Sequence, residues 1–262
     1  MKKILTIIVS AILFLGLIGI CVGLILDSAD TNAPSSSEQE PPSSEESKNV
    51  DFTALTYCAF GDSITWGYDR LTDAQMENPY SKLVASSLSL KAFKNAGING
   101  LTFVSNVAGR GCIAETVISE TKQYDIISVM CGVNDYTLST PIGTLDDNTT
   151  SSIYGSLDVI ATTLKENNPN AFIFFMTPYQ SGHSGNCLEN NSAGYNLLDV
   201  ANAVKAVANK YGIPVLDMFN EGKFELYGMY AENSDKVHPN QDFVTRYTAP
   251  QIVDFIRANY GK

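Results

Sequence analysis

Five apolar runs closed by turn-forming residues punctuate the chain: LTYCAF (55–60), LTFVSNVA (101–108), DIISVMCGV (125–133), AFIFFMTP (171–178) and IPVLDMF (213–219). Most are rich in β-branched or aromatic residues and apolar at both odd and even positions. A strand with one wet face alternates, whereas a run apolar on both faces is buried on both, as in a parallel sheet.

Helical spacing fills the intervals, which is what parallel strands need to return to the same edge. In NPYSKLVASSLS (78–89) Asn78 is the expected N-cap and Pro79 the first helical residue, where its missing N–H costs nothing. Residues 153–166 repeat apolar side chains three and four apart before NNP ends the pattern. Over 196–212, Leu197, Val200, Ala201, Val204, Val207 and Ala208 form one stripe and Gly212 sits at the C-cap; a last helix fits 241–260. Strands alternating with helices predict a three-layer α/β/α sandwich around a central, mainly parallel five-stranded sheet. Ligands of such sheets bind beyond the carboxyl ends of the strands.

That domain is expected over residues 51–262. Ahead of it, Lys2 and Lys3 precede an uncharged run from Ile4 to Leu26, close to the roughly 20 residues of a spanning helix. The run is longer than a secretory h-region and lacks a clear small-x-small cleavage site, so residues 1–26 are read as an uncleaved signal anchor. Cys21 follows Ile20, not the small residue of a lipidation site, and is read as part of the apolar helix. The lysines stay inside and the remainder is exported, to the extracellular face of the membrane or free if the segment is cleaved. Residues 27–50 are rich in Ser, Glu and Pro and read as a disordered linker.

The linker holds six acidic residues and one lysine, which leaves the expected domain at net −8. An acidic surface argues against nucleic acid and against docking on anionic headgroups, and leaves neutral or cationic substrates open, a small-molecule or polysaccharide ester among them. The five cysteines form no C-x-x-C pair and there are only two histidines, so neither a metal site nor a cofactor is expected. The acidic stretch 143–152 lacks the ligand spacing of a calcium loop.

Polar residues directly after an apolar strand should converge. Three segments qualify: GDSITWG after the first run, NVAGRG (106–111) at the end of the second, and GVNDY (132–136) at the end of the third. Ser63 in the first is a candidate nucleophile, but a serine hydroxyl needs a base. His183, in a Gly- and Ser-rich loop, reads as a loop residue. His238 lies three residues after Asp235 in DKVHPN, a spacing at which the carboxylate can orient the imidazole, although a surface turn ending at Pro239 has the same spacing. Asp135 is a rival for that orienting role; Asp62 and Asp135 otherwise read as backbone-turn acceptors.

With GDSITWG, NVAGRG, GVND and DKVH in this order, the chain resembles the SGNH hydrolases, the GDSL esterases and lipases, from about residue 55 to the C-terminus. The resemblance implies a flavodoxin-like fold and a role for each matched residue: Ser63 as nucleophile and backbone oxyanion donor, Asn134 as side-chain donor, His238 as base and Asp235 as its partner. For the remaining backbone donor, Gly109 and Gly111 are both candidates. Gly111 is preferred, because the family glycine usually lies five residues after an Asn, here Asn106.

Trp66, three residues past Ser63, either packs the turn or lines the acyl pocket; Tyr136 and Tyr179, like Tyr68 and Tyr195, lie near the motifs and are candidates to stack on sugar rings. The expected function is an extracellular, membrane-tethered serine esterase acting on short acyl esters, acetyl foremost, of a carbohydrate. A lipase or lysophospholipase, an O-acyltransferase with the same site, and a non-catalytic wall-binding module are the alternatives.

Overall fold

In the computed structural model, which describes residues 50–181, 185–223 and 235–262, the first apolar run forms strand β1 (Thr56–Gly61). It is followed by a one-turn helix α1 (Ser63–Trp66) and a short antiparallel hairpin of β2 (Tyr68–Asp69) and β3 (Ala74–Gln75). Helix α2 (Tyr80–Ser87) leads to β4 (Ala92–Gly97), and α3 (Ile113–Ser119) to β5 (Ile126–Met130). Helices α4 (Val133–Leu138) and α5 (Ile153–Asn167) precede β6 (Phe172–Met176). Then come α6 (Leu197–Tyr211), β7 (Val215–Leu216) and α7 (Met218–Glu221). The chain closes with α8 (Gln241–Phe243), a π-helical stretch Val244–Thr248 and α9 (Ala249–Asn259).

The main sheet has the order β4-β1-β5-β6-β7, every neighbour parallel. Helices cover both faces: α2 packs against α9, while α3, α5 and α6 form a row. Phe174, Phe175, Ile126 and Ile127 are wholly buried between the layers, each worth roughly 1.5–3 kcal/mol relative to exposure. The chain moves from β1 outward to β4 and then returns to β5 on the other side of β1. This reversal is the switch point at which such sheets bind ligands. Gly61 is level with Gly97 of β4 and Met130 of β5, so the segments after all three strands leave from one edge.

The sequence expectation and the structure part at two places. Residues 101–108 form no strand; Thr102 makes a single bridge to Cys112. The edge strand is instead Ala92–Gly97, whose first three residues are exposed, so it lacks the two-sided apolar pattern of a buried strand. Helix α2 also starts one residue late, with Pro79 at the N-cap. Elsewhere local chemistry decides the ends: Ser152 caps α5, Asn196 and Asp199 form a capping box on α6, and Gly212 closes α6 at φ +64°.

The anchor expected at 1–26 and the linker expected at 27–50, except Val50, lie outside the described residues, as does His183. Among the described residues no helix is long and apolar enough to cross a membrane.

Candidate active site

A short strand-to-helix turn presents Ser63. The Asp62 carboxylate caps α1 by accepting the Ile64 N–H at 2.9 Å, and burial pushes that carboxyl up to about 6 against the pull of the Ile64 N–H and of His238. Asn95 of β4 ties the other end of the turn down. Its amide donates to the carbonyls of Thr65 and Trp66 at 2.9 and 3.2 Å. Gly97 leaves the room this contact needs, since a Cβ there would meet the Trp66 nitrogen at 2.2 Å.

Ser63 Oγ lies 2.7 Å from His238 Nε2, and His238 Nδ1 lies 2.7 Å from Asp235 Oδ2. The other Asp235 oxygen accepts the N–H groups of Val237 and His238 at 3.0 and 3.1 Å, so the three-residue spacing closes on itself as a turn. Burial alone would raise the Asp235 carboxyl, but the His238 ring and the two N–H groups outweigh it and hold it at about 2. An ionised carboxylate only accepts, so the proton sits on Nδ1 and Nε2 is left to accept from the Ser63 hydroxyl. Tyr68 packs edge-on against the imidazole, with ring centres 4.7 Å apart. Gln241 fastens this turn to the start of α2, accepting from the Asn78 N–H and donating to its carbonyl, both at 2.9 Å.

Asn134, in the first turn of α4, donates one amide N–H to the Leu101 carbonyl at 2.8 Å. That bond fixes the amide plane and leaves the second N–H available at the cleft. The acceptor is held in turn by Asp135, which takes the N–H groups of Phe103 and Val104 at 2.8 and 3.2 Å and the Thr140 hydroxyl at 3.1 Å. Asp135 is therefore a backbone acceptor under the site, and Asp235, not Asp135, orients His238. Complete burial of Asp135 pushes its carboxyl up to about 7 despite the three donors.

Ser63, Asn134, Asp235 and His238 meet at a cleft of about 380 Å³. Asn99, Gly100, Tyr68 and Arg70 complete its wall. Gly111 is not part of it: the residue is exposed, and a Cβ there would meet Glu115 and the Leu101 side chain. Gly109 points into open space. The glycine at the cleft is Gly100, at φ +76°, five residues after Asn95 in NAGING (95–100). Asn95 and Gly100 hold the five-residue spacing at the cleft and Asn106 and Gly111 do not, since residues 101–108 form no strand.

Of the aromatic candidates, Tyr136 and Tyr179 lie away from the cleft, and for Trp66 the structure shows the packing alternative. Tyr179 is fully buried with its hydroxyl 2.7 Å from that of Thr248. Tyr136 is buried and donates to the carbonyls of Asn186 and Glu189. Trp66 packs beside Tyr68, with ring centres 6.4 Å apart, and does not line the cleft. Tyr195 donates to the Asp135 carbonyl from a buried position, which leaves Tyr68 as the one of the four tyrosines at the cleft.

Cys58, Cys112, Cys131 and Cys187 are buried free thiols. Among the described residues no group of three His, Cys, Asp or Glu side chains is placed to hold a metal ion. Ser63, a carboxylate-backed imidazole and the neutral Asn134 amide share one cleft, an arrangement suited to acyl transfer.

Residues 59–243 match the model of the GDSL-like Lipase/Acylhydrolase family. No curated protein sequence matches the chain. Among solved structures, a protein from Lactobacillus plantarum is 24% identical with a TM-score of 0.68, covering 79% of this chain and 99% of its own. A carbohydrate acetylesterase family member from Sinorhizobium meliloti is 16% identical with a TM-score of 0.55, covering 78% and 98%. The native M. smegmatis aryl esterase is 17% identical with a TM-score of 0.56, covering 78% and 99%. At these identities the structural likeness speaks for the fold.

Proposed function

Because the chain belongs to the GDSL-like Lipase/Acylhydrolase family and is a carboxylic ester hydrolase, we propose that it uses Ser63 to remove short acyl groups, acetyl foremost, from a carbohydrate outside the cell. The observation that carries this reading is the pair of 2.7 Å contacts linking Ser63, His238 and Asp235. His238 takes the Ser63 proton as Oγ attacks the ester carbonyl, Asp235 stabilises the imidazolium, and the same ring returns the proton to the departing alcohol. Water then repeats the sequence on the acyl-enzyme. The N–H groups of Ser63 and Gly100 and the amide of Asn134 receive the charge that develops on the carbonyl oxygen, each donor contributing about 10² to 10³ in rate.

Two features support a short acyl group and a polar alcohol. Among the described residues none that lines the cleft is aliphatic, so a long chain would leave its methylenes in water, at about 0.8 kcal/mol each relative to burial. The Tyr68 ring stands at the rim beside His238, an amphipathic surface suited to a sugar face. The membrane-tethered, extracellular part of the proposal rests on the apolar run Ile4–Leu26 after two lysines and on the Ser/Glu/Pro linker.

Fluorophosphonate labelling followed by peptide mapping tests the nucleophile; modification of any residue but Ser63 overturns the mechanism. Turnover of 4-nitrophenyl acetate against the decanoate tests the acyl length, with acetate expected to be preferred and a clear preference for decanoate refuting it. Protease accessibility on intact cells tests the location.

A further inference from the structure

The cleft carries a charge pattern that the proton relay does not use. The domain is acidic, yet two of the four arginines in the chain stand here. Arg70 lines the cleft beside Ser63 and His238. Arg110 lays its guanidinium against Gly100, close enough that a Cβ on that glycine would lie 3.0 Å from Nη1. Among the described residues neither guanidinium forms an ion pair.

The groups near Arg70 are already engaged. Its hydrogen bond to the Tyr68 hydroxyl is long, at 3.4 Å, and that hydroxyl donates to Asp73 Oδ1 at 2.6 Å. Asp69 accepts the Leu71 N–H and the Thr72 hydroxyl. Asp235 is occupied by His238 and two backbone N–H groups. A guanidinium offers five N–H donors in a planar fork that matches carboxylate and phosphate, so most of the Arg70 donors remain for a ligand. Arg70 in the cleft wall and Arg110 against Gly100 thus offer an anion guanidinium donors beside the ionised Asp235.

We propose that Arg70 and Arg110 form an anion subsite, so that the preferred substrates carry a carboxylate or phosphate close to the scissile ester. The inference rests on the esterase reading above. A short acyl group such as acetyl has no place for that charge, so the charge belongs to the alcohol portion, an acidic saccharide.

The test compares the full-length protein with Arg70→Gln, Arg70→Lys and Arg110→Gln on 4-acetoxybenzoate and its neutral methyl ester, following release of the phenol. A third probe, 4-acetoxyphenyl phosphate, separates phosphate from carboxylate: the anion whose turnover falls most in the variants is the one the subsite is built for. The ratio of kcat/KM for anionic over neutral ester is expected to fall about tenfold in Arg70→Gln and about threefold in Arg110→Gln, and to survive largely in Arg70→Lys. Added salt should narrow the wild-type ratio. A ratio unchanged within about twofold in the glutamine variants overturns the subsite. An equal fall on charged and neutral probes also overturns it and assigns Arg70 to positioning Asp235 and His238. Failure of the wild type to turn over any probe, together with an unlabelled Ser63, refutes the esterase reading itself.

Discussion

Replacing Gly100 by alanine separates the two candidate backbone donors. At φ +76° an L side chain costs about 1–2 kcal/mol in backbone strain. The added Cβ would meet Arg110 Nη1 at 3.0 Å and Cζ at 3.4 Å, but that exposed side chain can swing aside, so the strain is mostly in the backbone. In a domain of this size 1 kcal/mol moves the thermal midpoint by about 2–4 °C, which gives an expected loss of about 2–8 °C. If the strain is relieved by turning the 99–100 peptide, the Gly100 N–H leaves the reacting carbonyl. Loss of one such donor lowers kcat by about 10² to 10³ and leaves KM close to its original value, because the donor acts on charge that exists only as the bond forms. Gly111→Ala is the control. Gly111 has no positive φ and its Cβ would meet the Glu115 carboxylate at 3.1 Å and the Leu101 side chain at an ordinary 3.6 Å, so kcat should stay within about twofold. Both variants are assayed on 4-nitrophenyl acetate at 25 °C, with circular dichroism and a thermal melt to show that they are folded. A hundredfold loss in Gly111→Ala beside near-normal turnover in Gly100→Ala would refute the reasoning and return the donor to Gly111.

Two further outcomes follow from the site. Asp235→Asn should keep the fold but lower kcat by about 10³ to 10⁴, since a neutral amide neither fixes the Nδ1–H tautomer nor stabilises the imidazolium; a loss under tenfold would exclude Asp235 as the partner of His238. The second outcome concerns pH and stability. The carboxyls of Asp62 and Asp135 are raised by burial to about 6 and about 7, above the roughly 3.9 of an unfolded Asp. Between these values the folded state holds protons that the unfolded chain has released. Their contribution is therefore fully present below about pH 4 and is lost as pH rises through 6 and 7. Asp235, held at about 2, acts oppositely, contributing above about pH 4 and losing that contribution as pH falls through 2. At 1.36 kcal/mol per pH unit for one proton, about one unit for Asp62 and two for Asp135 between pH 5 and pH 8 remove about 4 kcal/mol, so the thermal midpoint should fall by about 8–16 °C. A midpoint that is flat or rises over that range in calorimetry would contradict the buried-acid assignment.

The parts of the site that are local in sequence were legible. Asp235 and His238 close one turn, and Ser63 follows an apolar strand that ends in glycine, so residue type and spacing suffice to pick them out. The aromatic residues were not legible, because a tyrosine whose hydroxyl is satisfied in the core, like Tyr179 on Thr248, has the same neighbours in sequence as one at the rim, like Tyr68. The backbone donor was harder still. Two segments place a glycine five residues after an asparagine, Asn95 with Gly100 and Asn106 with Gly111. The apolar run 101–108 favoured the second, but what makes residues 101–104 apolar is burial beneath the cleft, where Asp135 satisfies the Phe103 and Val104 N–H groups without any strand. Asn106, Ala108 and Gly109 then turn away through three positive φ angles of 59°, 50° and 71°. The segment that does reach the cleft leaves an edge strand whose exposed Ala92, Phe93 and Lys94 hide it from a test for buried strands. Pattern reading weighs each run by its own apolarity, whereas the choice between the two glycines depends on register: Gly97 lies level with Gly61, and only a chain leaving the sheet at that level can bring a backbone N–H to the carbonyl that Ser63 attacks.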